Sequence, residues 1–89
     1  MALSEDIKLY RVYVLKQRNG GSEIVAETKT NTASFEIATL VFWYLYNQDY
    51  SNKHLLFMTC NGKRINIYRY QSQPGDDCYL PTNAELIDE

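Results

Sequence analysis

From Ala33 to Gln48 the chain runs for sixteen residues without Gly or Pro, and this stretch narrows what the molecule can fold into. Thr30-Asn31-Thr32 offers capping side chains ahead of it, and Glu36 sets a carboxylate in the first turn, where backbone N–H groups lack intrahelical partners. The spacing therefore predicts one long helix over 33–48. Phe35, Ala38, Phe42 and Leu45 recur at intervals of three and four, the pattern of a buried face. Leu40, Val41, Trp43, Tyr44 and Tyr46 extend apolar character around nearly the whole circumference. Such a helix must be covered on more than one side. A single sheet covers one side only, so the second side must meet the C-terminal tail or another copy of the chain.

The segments around the helix read as two hairpins. Ile7 to Gln17 is rich in β-branched and aromatic residues, Arg18-Asn19-Gly20-Gly21-Ser22 is dense in turn formers, and Glu23 to Lys29 resumes a strand pattern at a sheet edge. In that edge strand, Ile24, Ala26 and Thr28 are expected on one face and Glu23, Val25 and Glu27 on the other. After a polar loop over 47–53, His54 to Cys60 is a compact apolar strand, and Lys63 to Gln71 is a further one. Asn61-Gly62 between them is the favoured pair for a type I′ turn. Ser72-Gln73-Pro74-Gly75-Asp76-Asp77 breaks regular structure. Pro81-Thr82-Asn83-Ala84-Glu85 resembles a capping box that opens a short terminal helix, with Leu80, Leu86 and Ile87 docking it.

The expectation is an α+β fold: a four-stranded antiparallel sheet in the order β-β-α-β-β, the long helix on one face, and a short C-terminal tail or helix. The plan is an acidic N-terminal end over 1–6, a single domain over 7–73, and an acidic tail over 74–89 that can dock on the body. A chain of 89 residues suits one domain, burying roughly 60–65% of its unfolded surface. A hydrophobic content of 45% argues against disorder, and eight tyrosines give much of the apolar area a polar tip. No apolar run approaches a membrane span, and the opening Met-Ala-Leu-Ser-Glu-Asp lacks a basic region followed by an apolar one, so a cytoplasmic protein is expected. Cys60 and Cys78 are then expected to be free thiols.

Charge is sorted by position. Residues 7–73 hold nine Lys and Arg against Glu23, Glu27, Glu36 and Asp49, a balance of +5, while the two ends hold the other seven acids. A basic body with acidic flanks speaks of partners rather than of fold. On the strand Lys63 to Tyr70, alternation sends Ile65 and Ile67 to the core and Arg64, Asn66, Tyr68 and Tyr70 to the opposite, open face. Placing Tyr10, Val12 and Val14 on that same face makes it a tyrosine-bearing surface for a partner. Trp43, Tyr44 and Tyr46 supply a second contact, because they cannot all point into one core.

Catalytic equipment is sparse. His54 is the single histidine, and its separations from Cys60 and Cys78 match no usual zinc spacing, so neither a metal nor another cofactor is expected. Glu27-Thr28-Lys29 with Asp6 upstream is a weak echo of a metal-dependent nuclease and reads as a solvated strand edge. The glycines make turns and lack the strand-loop-helix setting of a phosphate cradle. The sequence thus points to a small non-enzymatic binding protein that regulates or inhibits a macromolecular partner through an aromatic protein–protein interface and self-associates as a homodimer. A short Tyr-rich and Asn-rich chain of this kind fits inhibitors or antitoxins of viral or mobile-element origin. The alternative is an RNA or single-stranded DNA binder that uses Arg11, Lys63, Arg64, Tyr68 and Tyr70 for phosphate and stacking contacts. No small-molecule substrate and no membrane enter either reading.

Overall fold

The computed structural model describes residues 7–88, and the acidic N-terminal end with Asp6 lies outside them. The fold is α+β, an antiparallel sheet with one helix. Strands β1 (Tyr10–Arg18) and β2 (Gly21–Ile24) form the first hairpin, β3 (Thr30–Thr32) is a short third strand, α1 (Phe35–Tyr46) is the helix, and β4 (His54–Cys60) and β5 (Lys63–Arg69) form the second hairpin. The order across the sheet is β2-β1-β4-β5, with β3 pairing on the same edge of β1 as β2.

Asn61 at φ +52° and Gly62 at φ +86° make the second turn, two consecutive left-handed residues as a type I′ turn requires. Asn61 also reaches past its own hairpin. Its side-chain carbonyl accepts from the Leu9 N–H at 2.9 Å, and its own N–H donates to the Leu9 carbonyl at 2.9 Å, which extends pairing beyond the start of β1.

The edge beside β1 differs from the continuous strand expected over 23–29. After β2 the chain makes a 3-10 turn over Ala26–Thr28 and only then resumes as β3, so Thr30-Asn31-Thr32 is a strand rather than a helix cap. The turn survives because Thr28 repairs the ladder. Its buried hydroxyl accepts from the Val14 N–H at 2.9 Å and donates to the Val25 carbonyl at 2.6 Å, replacing a strand carbonyl that the turn removes. Ser34, whose hydroxyl accepts from the Ile37 N–H at 3.2 Å, caps the helix.

The helix buries Ala38, Phe42 and Leu45 against β1 and β4, and half-buried Phe35 sets its ring 5.4 Å from that of Tyr10. Its second covered flank meets the C-terminal tail, where half-buried Leu80 and Leu86 pack against the core. The tail runs without regular structure where a terminal helix was expected; the Ala84 N–H to the Pro81 carbonyl at 3.0 Å makes a turn that does not continue into a helix. Asn66 of β5 fixes it reciprocally, its amide donating to the Ile87 carbonyl at 3.2 Å and its carbonyl accepting from the Ile87 N–H at 3.4 Å. The tail thus covers β5 on the same face on which the helix covers β1 and β4. The other face has neither.

Candidate functional site

Which residues occupy that uncovered face follows from strand register. Tyr10, Val12 and Val14 of β1 pair with Cys60, Met58 and Leu56 of β4, and all six are buried in the cluster beneath the helix. On β5, Asn66 and Tyr68 pair with Met58 and Leu56 and lie on the same inner side, with Tyr70 following them. Tyr10, Val12, Asn66, Tyr68 and Tyr70, expected on the open face, are therefore interior residues. None presents a surface to a partner.

Two physical causes explain the inversion. The first is a bulge: Asn66 pairs with Met58 and Arg64 with Thr59, which leaves Ile65 as an extra residue packed toward the core. Arg64 and Asn66 would share a face in a regular strand, but the bulge separates them, so Arg64 alone of that group is on the open side. The second is that the buried tyrosines find acceptors. The Tyr70 hydroxyl donates to the Leu45 carbonyl at 2.5 Å, joining the Gln48 N–H at the end of the helix, and Tyr10 donates to the Asp88 carboxylate. Burial pushes both phenols well above the ordinary tyrosine value, with the neighbouring Asp88 adding to the effect at Tyr10.

The uncovered face carries instead Arg11, Tyr13 and Leu15 from β1, Leu55, Phe57 and Thr59 from β4, and Arg64, Ile67 and Arg69 from β5. Ile67, expected in the core, pairs with Phe57 on this outer side. Phe57 is only 5% exposed although no second layer lies over it. Its cover is made by neighbours in the plane of the sheet, Tyr13 with its ring 5.4 Å away at 30° and the Arg64 guanidinium 5.7 Å from the ring centroid. Lys63 pairs with Cys60 at the opposite, helix-facing side.

The second surface is the outer flank of α1. Trp43 and Tyr46 are half-buried, packed edge to face at 4.8 Å, and the Tyr46 hydroxyl donates to the Leu80 carbonyl at 2.5 Å, so the tail takes up Tyr46 while Trp43 packs on Phe42 and Tyr46. Tyr44 remains outside at 66% exposure, in line with Leu40 at 71% and Ile37 at 49%. Beside this stripe, Phe35, Glu36, Thr39 and Leu40 line a depression of about 360 Å³, and the Thr39 hydroxyl is buried there without a hydrogen-bond partner among the described residues.

Other candidate chemistry disperses. Nδ1 of His54 lies 3.1 Å from the Ser51 hydroxyl, a contact within one turn of chain, and its ring sits 4.8 Å from Tyr50. Thr28 is committed to the β1 ladder, which separates it from any role beside Glu27 and Lys29. Among the described residues no three His, Cys, Asp or Glu side chains group as metal ligands, and no helix is long and apolar enough to cross a membrane. Set against protein-family models, curated proteins and solved structures, the chain matches none. Its two surfaces are therefore read from their own chemistry. The outer helix stripe was within reach of sequence, since Ile37, Leu40 and Tyr44 stand at i, i+3 and i+7 opposite the buried face. Arg69, Tyr13 and Phe57 were missed; Arg11 and Gln17, two places either side of Tyr13 and Leu15, were the signal that the odd-numbered face of β1 meets water.

Proposed function

We propose that this protein is a non-enzymatic binding protein that occupies a macromolecular partner, and that it does so as a homodimer joined through the outer stripe of its helix. The observation that carries this reading is the exposure of Ile37, Leu40 and Tyr44 in one line. The stripe is self-complementary about its middle. If two copies cross antiparallel near Leu40, Leu40 meets its twin and Ile37 of each faces Tyr44 of the other, the reciprocity that an isologous contact demands. Glu36 is the one charged residue within the helix, and this arrangement sets the two copies of it toward opposite ends rather than against each other.

A twelve-residue helix is about 18 Å long, too short by itself to bury the roughly 800 Å² per partner of a standard interface, so the expected dimer is reversible and micromolar. A cytoplasmic setting is part of the proposal, supported by Cys60 and Cys78, both free thiols. Light scattering coupled to sizing tests the reading: the mass should rise from one chain to two over the micromolar range. The Leu40→Asp, Tyr44→Asp double variant should stay at one chain with unchanged circular dichroism. A wild-type protein that remains monomeric at hundreds of micromolar would dispose of the dimer.

A further inference from the structure

We infer that the uncovered face of the sheet is a platform for single-stranded nucleic acid, a second surface independent of the helix stripe. Its charge is one-sided. Arg11, Arg64 and Arg69 project there, and no strand residue on this face is acidic; Glu23 pairs with Lys16 and so belongs to the other side. None of the three arginines is neutralised by a carboxylate among the described residues. Each is held by neutral groups instead. Arg11 donates from Nε to the Asn31 side-chain carbonyl at 3.2 Å, and Arg69 donates to the Gln17 side-chain carbonyl at 2.9 Å and the Asn52 backbone carbonyl at 3.0 Å. Arg64 rests over Phe57. The side chains are thus steadied while their charge remains available.

Between the charges the planar groups open to solvent are half-buried Tyr13 and exposed Arg64. Phe57, itself 5% exposed, backs both, with the Tyr13 ring 5.4 Å away at 30° and the Arg64 guanidinium 5.7 Å from its ring centroid. Rings and guanidinium planes stack on unpaired bases while arginines meet the phosphates between them. The spacing also favours a strand over a point anion. Arg11 and Arg64 occupy one row across three strands, about 10 Å apart, and Arg69 lies four residues further along β4, about 13 Å away. Three cations at these separations follow an extended polyanion. An acidic peptide would satisfy the arginines but leave Tyr13 without a role, and a duplex would need a helix or ribbon that enters a groove, which this face lacks.

The last described acid of the tail does not compete for the platform: Asp88 is drawn to Tyr10 and Lys8 on the helix-bearing side.

The test is fluorescence anisotropy of the full chain with labelled oligothymidine and oligouridine of roughly a dozen nucleotides, across a salt series. Binding should weaken with salt, log K falling against log salt with a slope near −2 for three phosphates neutralised at about −0.7 each. Arg69→Gln should make that slope shallower by about 0.7, whereas Tyr13→Ser should weaken binding about tenfold and leave the slope alone. Arg64→Lys should keep the slope and lose affinity, because charge survives and the planar stack does not. Arg69→Gln keeps the inference testable should Tyr13→Ser fail to fold. Absence of binding at low salt overturns it. So does equal binding of polyglutamate that is indifferent to Tyr13→Ser, which would mark a general polyanion surface.

Discussion

Thr28 shows how much one hydroxyl can hold. It stands where a strand should continue, and it satisfies the Val14 N–H, which is otherwise buried with nothing to donate to. Thr28→Val keeps the shape and removes the acceptor, so it should cost about 1–3 kcal/mol, the desolvation of an orphaned backbone donor. For a domain of this size that is a fall in melting temperature of roughly 5–20 °C, measured by circular dichroism. Thr28→Ser, which keeps the oxygen, should recover most of it. A Val variant as stable as wild type would mean that another group takes the Val14 proton.

At the scale of elements, the tail behaves as a second cover for the helix rather than as an appendage. Leu80 and Leu86 pack on the core, Tyr46 bonds to the Leu80 carbonyl, and Asn66 pairs with Ile87 in both directions. Removing the residues beyond Gly75 should therefore cost about 2–4 kcal/mol, the burial of two half-covered leucines with their supporting hydrogen bonds. Denaturant midpoints of the full and shortened chains measure this, and equal midpoints would show that the docking is energetically idle. The need for such a cover was legible in sequence, because Trp43 and Tyr46 could not share one buried face with Phe42. So were the Asn61-Gly62 turn and the buried stripe of Ala38, Phe42 and Leu45, which local chemistry decides. The facing of the last strand was not. It hinges on Ile65, a bulged residue that no local signal distinguishes from its neighbours, and one extra residue is enough to separate Arg64 from Asn66, Tyr68 and Tyr70. The 3-10 turn at Ala26–Thr28 escaped for a similar reason, since its support comes from a bond across to β1.

For the whole molecule, the buried phenols set an alkaline limit. Burial raises the values of Tyr10, Tyr46, Tyr50 and Tyr70 above the ordinary 10, so the folded state holds protons that the unfolded state has already released. Fewer protons bound when unfolded means that unfolding free energy falls as pH rises. The contribution is complete below about pH 10 and declines above it. Stability should be nearly flat from pH 8 to 9.5 and drop steeply beyond, and tyrosinate absorbance should appear together with loss of helix signal rather than before it. Phenols that ionise while the fold persists would refute this.

Both margins of the sheet are interrupted. On one side the 3-10 turn divides β2 from β3, and on the other the Arg69 N–H is occupied by the Cys78 carbonyl at 2.9 Å. A stranger's backbone arriving at either margin finds only short lengths of free ladder, too few to template a growing stack. A protein rich in tyrosine, with an apolar central strand of seven residues, should for this reason withstand concentration and storage without forming fibres.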